Sequence, residues 1–173
     1  VKPDITCFGK VIGGGLPIGA IGGSRAVMEN LTPLGKVFHA GTLAGNPLAT
    51  AAGLAALNEL TQDVYMELGA RARALSTLLR DACLSAGIVA QFPVVGTLVG
   101  AFFGPNTPTN FDEAKQTDEK MYARFFHAML AEGVALAPGA YEALFVGLGH
   151  TDSVMQQLAE RAQRAAHAAV LAQ

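Results

Sequence analysis

Tryptophan is absent, and the 173 residues hold only two cysteines, Cys7 and Cys83. They lie far apart in apolar surroundings without metal-ligand spacing, so both are expected to be small buried hydrophobes in a reducing compartment. Charge is scarce as well: 15% of residues are charged, and the formal net charge is −2. With no basic stripe or tail, a nucleic-acid or anionic-membrane surface is not expected. Apolar runs are broken by Gly, Pro or charge before they reach a bilayer-spanning length. Repeats and low-complexity tracts are missing, and no secretory signal is visible, which leaves the cytoplasm as the expected location. The first residue is Val1 rather than Met, and the chain enters a strand-like segment at once, as the interior of a longer polypeptide would. What is abundant is apolar: 51% hydrophobic residues can build a large core.

The pattern divides in two. In residues 1–62, Ile5–Phe8 and Ala20–Gly23 read as short buried strands around a Gly-Pro loop, and Ser24 as the N-cap of a short helix ended by Thr32-Pro33. Asn46-Pro47 opens a further helix, with Asn as cap and Pro at the first helical position. Ala49, Ala52, Leu54, Ala56, Leu57 and Leu60 make it apolar on several sides, so burial is expected. The character changes at Thr61-Gln62-Asp63. From 63 to 173 the reading is an α+β domain. A helix is expected over 64–86 with Gly87 as its C-cap, followed by β-prone runs at 88–92 and 94–103 split by Pro93. A Gly/Pro/Asn loop at 104–110 leads to a helix over 112–132. Short strands at 134–136 and 144–146 precede an alanine-rich helix that Thr151-Asp152 caps.

Lys10 is the residue with the most chemistry in its surroundings. It follows the first strand and precedes Gly13-Gly14-Gly15-Leu16-Pro17-Ile18-Gly19. An amine that must form a Schiff base has to be neutral and fixed, and glycines leave room for a planar ring. A nucleotide P-loop is excluded because its lysine follows the glycines. A dinucleotide loop is excluded because Pro17 directs the chain into extended structure instead of a helix. The four histidines are scattered, and neither a Ser-His-Asp nor a metal constellation can be assembled.

Three ordered blocks carry a resemblance. Pro3 to Ala20 around Lys10, His39 to Ala49 with Gly41-Thr42, and Ala137-Pro138-Gly139-Ala140-Tyr141-Glu142-Ala143-Leu144-Phe145 through His150-Thr151 together resemble class III pyridoxal-phosphate aminotransferases. The late block is more similar to the family's aminomutases than to its ordinary aminotransferases. The resemblance implies an α/β fold: the end of a large aspartate aminotransferase-like domain, then a small α+β domain. The implied activity is amino transfer within glutamate-1-semialdehyde to give 5-aminolevulinate. A class III ω-aminotransferase, or a non-catalytic folding or dimerisation fragment, are the alternatives.

The resemblance implies a role for each site residue. Lys10 would be the Schiff-base lysine for pyridoxal 5'-phosphate and a proton carrier afterwards. Gly41 and Thr42 would contact the cofactor phosphate across the interface of a homodimer with a shared site, unless Thr42 only caps the turn before Asn46. Glu142 either binds a substrate amine or is a solvated turn residue, and no arginine lies between Arg124 and Arg161 to grip a carboxylate. His150 is read as a hydrogen-bonded histidine beside a helix cap. The family's ring-nitrogen aspartate, phosphate loop and stacking aromatic precede the lysine, and only nine residues do so here. The chain taken alone is therefore expected to be inactive, and Asp4 is not assigned to the ring nitrogen.

Overall fold

A computed structural model of the chain describes residues 2–171. It divides into two compact units, with the boundary between Val64 and Tyr65.

The first unit opens with strands β1 (Ile5–Phe8) and β2 (Ala20–Gly23), which form an antiparallel pair with Ile5 opposite Gly23 and Phe8 opposite Ala20. A 3-10 turn at Lys10–Gly13 starts the connection between them. The short helix α1 (Arg25–Met28) stops before Leu31, and the Ser24 side chain makes no capping bond. Helix α2 (Pro47–Glu59) begins as the sequence requires: Asn46 Oδ1 accepts from Leu48 N at 3.0 Å and Ala49 N at 3.2 Å, ahead of Pro47.

Burial departs from the sequence expectation. Strand β1 is exposed along its length, and Leu48, Leu54 and Leu57 of α2 are 72%, 63% and 44% exposed. A two-stranded sheet with one short and one longer helix has no second layer within this unit to bury its apolar faces. Cys7 on β1 is accordingly exposed, whereas Cys83 is buried. Burial without a charge partner pushes the Cys83 thiol up to about 12.

The second unit has its own core. Helix α3 (Gln62–Ser85) contributes Leu75, Leu79 and Cys83 and ends at Gly87 (φ 75°), where Ile88 N bonds back to Cys83 O at 2.9 Å. The β-prone stretch does not form two strands. It folds into β3 (Ala90–Gln91), β4 (Val94–Val95), β5 (Leu98–Val99) and β6 (Phe102–Phe103). Gly96, at φ 61°, reverses the chain so that Val95 pairs with Leu98. The expected helix over 112–132 is likewise two: α4 (Phe111–Ala114) and α5 (Glu119–Ala131). Asp118 N donates to Phe103 O at 2.8 Å and Asp118 Oδ1 accepts from Met121 N at 2.9 Å, which ends one helix and caps the next.

Residues 134–136 form no strand. Ala137 O accepts instead from the buried Tyr122 hydroxyl, while Leu144 and Phe145 form β7, antiparallel to β5. Helix α6 (Asp152–Leu171) lays Ala162, Ala165, Ala166 and Ala169 into the core; a face of small side chains allows close approach. At the centre, the Phe103 ring meets Tyr122 and Phe125 at centroid distances of 5.8 and 5.5 Å. No helix among the described residues is long and apolar enough to cross a membrane.

Candidate functional site

Lys10 is the only non-glycine with positive φ among the described residues, at 57°. An L-residue in the left-handed region costs about 1 kcal/mol or more, so the surroundings must hold it there. Two glycines do so. A Cβ on Gly14 (φ 56°) would lie 2.3 Å from Ala52 O, and a Cβ on Gly53 would lie 1.9 Å from Ile12 O. The lysine turn is thus pressed against α2 backbone to backbone, closer than any side chain permits. Gly13, Ala49 and Gly53 are the buried residues among those described in the first unit, and all belong to this turn or to α2. Sequence reasoning misses Gly14 and Gly53 as positioning residues. A lone glycine inside a helical pattern, as Gly53 is, is the available signal.

Lys10 lies on an open hollow of about 550 Å³ that it shares with Val11, Gly15, Leu16, Pro17 and Ile18. The side chain is exposed, so within this chain the desolvation expected around the amine is not provided. Gly15 (φ 94°) faces open space, leaving the rim free for a flat ring.

Gly41 borders a second hollow of about 500 Å³, shared with Cys7, Phe8, His39 and again Pro17 and Ile18. The two hollows therefore have a common wall, and Lys10 and Gly41 line different ones. Thr42 is exposed in the turn closed by Ala44 N to Gly41 O at 2.9 Å. Asn46, and not Thr42, caps α2. An exposed hydroxyl beside a glycine is a donor set that suits a phosphate.

Glu142 stands in the second unit. Its Oε1 accepts from Gly139 N at 3.0 Å and its own N–H donates to Gly139 O at 3.1 Å, a closed turn. A Cβ on Gly139 would come within 2.6 Å of that carboxylate oxygen. His150 is hydrogen-bonded as expected: Nδ1 accepts from Gly147 N at 3.0 Å, and its carbonyl accepts from Arg71.

An exposed lysine amine on an open hollow and an exposed hydroxyl beside a glycine are groups compatible with a phosphorylated aromatic aldehyde such as pyridoxal phosphate. Comparison with known proteins agrees. A glutamate-1-semialdehyde 2,1-aminomutase of Desulfosudis oleivorans is 48% identical over 153 residues, covering 88% of this chain and 36% of the relative. The chain thus spans little more than a third of that protein's length. In structure it is similar to a β-phenylalanine aminotransferase of Variovorax paradoxus (TM-score 0.80, 30% identity, 92% of this chain and 37% of the other). In fold it is also similar to a glutamate-1-semialdehyde aminomutase of Pseudomonas aeruginosa in complex with PMP (TM-score 0.79, 24% identity, 95% and 39% covered). The α/β fold is that of the pyridoxal-phosphate aminotransferases, and the class III aminotransferase model matches residues 1–164. The chain belongs to the class III aminotransferase family.

Proposed function

We propose that this sequence works as the C-terminal part of a pyridoxal-phosphate-dependent glutamate-1-semialdehyde 2,1-aminomutase. The observation that carries the reading is Lys10 at φ 57° on a turn clamped to α2, facing an open hollow. Identity of 48% to a relative of that name supports the choice within the family.

Bound pyridoxal phosphate supplies an electron sink that makes bonds at the amine-bearing carbon easier to break. The Lys10 Nζ is the group that would hold the cofactor, and as a free amine it would carry protons between the two substrate carbons that exchange the amino group. The Gly14 and Gly53 contacts hold the backbone of the turn from which that side chain extends. Gly41 and Thr42 would hold the phosphate of the cofactor in a partner subunit, an arrangement that requires a homodimer; the cytoplasm is its proposed location. Glu142 receives the substrate's amine by charge. Residues 1–62 close the large cofactor domain, and 63–173 form a small C-terminal α+β domain.

Two measurements test this. Borohydride reduction of the chain with pyridoxal phosphate, followed by peptide mapping, is expected to label Lys10 and spare Lys2, Lys36, Lys115 and Lys120. The full-length enzyme is expected to turn over glutamate-1-semialdehyde without any separate amino acceptor. A strict requirement for an acceptor would overturn the mutase reading in favour of an ordinary ω-aminotransferase.

A further inference from the structure

Between Gly133 and β7 the chain forms no strand among the described residues; Val134 N donates to Met129 O of α5 at 2.8 Å, and beyond it the chain is held by a side chain and by its own turn. At one end the buried Tyr122 hydroxyl donates to Ala137 O, and at the other Leu144 is buried in the core. Between these fixed points, residues 138–143 contain the Gly139–Glu142 turn. Tyr141 is the side chain that reaches out of it: its hydroxyl donates to Glu119 Oε1 in the first turn of α5. Its ring meets Phe111 of α4 edge-on, with centroids 5.6 Å apart at 74°. Phe111 is itself braced, since Lys115 Nζ lies 5.2 Å over its ring and pairs with Asp112 at 2.8 Å. Two helices, α4 and α5, therefore converge on one phenol.

We infer that Tyr141 is a positioning residue: the Tyr141–Glu119–Phe111 latch fixes the turn from which Glu142 presents its carboxylate. A hydrogen bond to an ionised acceptor is among the stronger kinds, and it acts on the backbone one residue away from Glu142. The carboxylate uses one oxygen on Gly139 N, while an ionised carboxyl has about four acceptor sites. Capacity for an amine therefore remains, and its direction is set by the turn. The functional half of this inference rests on the proposed role of Glu142; the structural half does not.

Hydrogen exchange on the whole chain tests the structural half, because the amides of Gly139 and Glu142 are both bonded within the turn. Y141F keeps the ring and loses the donor. It is expected to speed exchange of these two amides by about fivefold, the scale of one net hydrogen bond, and to leave α5 and α6 unchanged. E119Q, which keeps an acceptor oxygen, should lie between Y141F and the parent. Parental exchange in Y141F, or acceleration spread equally through α5, would overturn the latch.

For the functional half, Y141F in the full-length enzyme is expected to raise KM several-fold at unchanged kcat, and to add nothing in an E142Q background. If exchange rises but E142Q leaves KM unaltered, the latch stands and the substrate role of Glu142 falls. If E142Q raises KM and Y141F does not, Tyr141 does not position Glu142 and the inference fails.

Discussion

Gly53 and Gly69 both sit inside long helices, and intrinsic propensity predicts the same outcome for both. Replacing a mid-helix glycine by alanine should stabilise by about 1 kcal/mol. The structure separates them. Around Gly69 a new Cβ would meet Arg73 Nη1 at 3.5 Å and Gly96 O at 3.8 Å, ordinary van der Waals distances. G69A should therefore keep the full gain and raise the melting temperature of the second unit by about 4 °C. Around Gly53 the Cβ would lie 1.9 Å from Ile12 O, a backbone atom with no rotamer in which to escape. Either the lysine turn or α2 must shift to relieve that contact, and forced overpacking costs about 1–3 kcal/mol. The two terms oppose, and a 1.9 Å contact puts the steric one toward its upper end, so G53A should destabilise by up to about 2 kcal/mol. Hydrogen exchange resolved by peptide is the suitable assay, since the units need not unfold together. In G53A, amides of 10–16 and 48–56 should exchange faster; in G69A, those of α3 should exchange more slowly. Slower exchange over 48–56 in G53A would mean that propensity governs this site and that the glycine contact does not seat Lys10.

Four further outcomes follow from the structure. Lys10→Gly should be more stable than Lys10→Ala by about 1 kcal/mol, because glycine tolerates φ 57° and alanine does not; equal midpoints in guanidinium would refute the strain. A thiol reagent at pH 8 should modify Cys7 quickly in the native chain and Cys83 only in denaturant, since burial raises the Cys83 thiol to about 12 and leaves almost no thiolate. Leu79→Ala removes a fully buried side chain and should cost about 3 kcal/mol in chemical denaturation, with a loss below about 1 kcal/mol contradicting the core assignment. Glu113 accepts from Thr109 N at 2.8 Å, which holds its carboxyl below the ordinary range. With the folded value depressed, the stabilisation of the 109–113 cap is complete above the unfolded pKa, about 4.3, and is lost as pH falls through the folded value. The Thr109 amide resonance should therefore titrate below that unfolded value in the parent and not in Glu113→Gln.

Local signals in the sequence suffice where one residue fixes one element. Asn46-Pro47 starts α2, Gly87 ends α3, and Thr151-Asp152 precedes α6 as their capping chemistry requires. Expectation and structure part where a long-range contact overrides local pattern. The helix expected over 112–132 breaks because Phe103 O takes the amide of Asp118. The strand expected at 134–136 does not form: Val134 N closes on Met129 O at 2.8 Å, and just past the segment Tyr122, 15 residues before Ala137, takes the Ala137 carbonyl. The burial expected for β1 and α2 rests on apolar composition, which says that a face needs a cover and not that this chain carries one. Motif singles out Lys10 and Thr42 as the residues proposed to act, whereas the glycine contact beneath the Lys10 turn exists only once two segments far apart in sequence meet.

Unit by unit, the two parts fix the side chains proposed to act, Lys10 and Glu142, differently. In the second, a dense core of aromatic and alanine side chains fixes Tyr122, and Tyr122 in turn pins the chain that leads to Glu142. In the first there is almost no core. Its buried residues, Gly13, Ala49 and Gly53, gather at the contact of the lysine turn with α2. If apolar burial were the purpose of that contact, leucine or valine would occupy it, because glycine contributes nearly nothing to the hydrophobic effect. Glycine there achieves the shortest distance between two backbones, and that distance fixes where the Lys10 Cα stands. A residue held at φ 57° against its own preference, on the most closely packed contact of an otherwise open unit, is what a positioned amine requires.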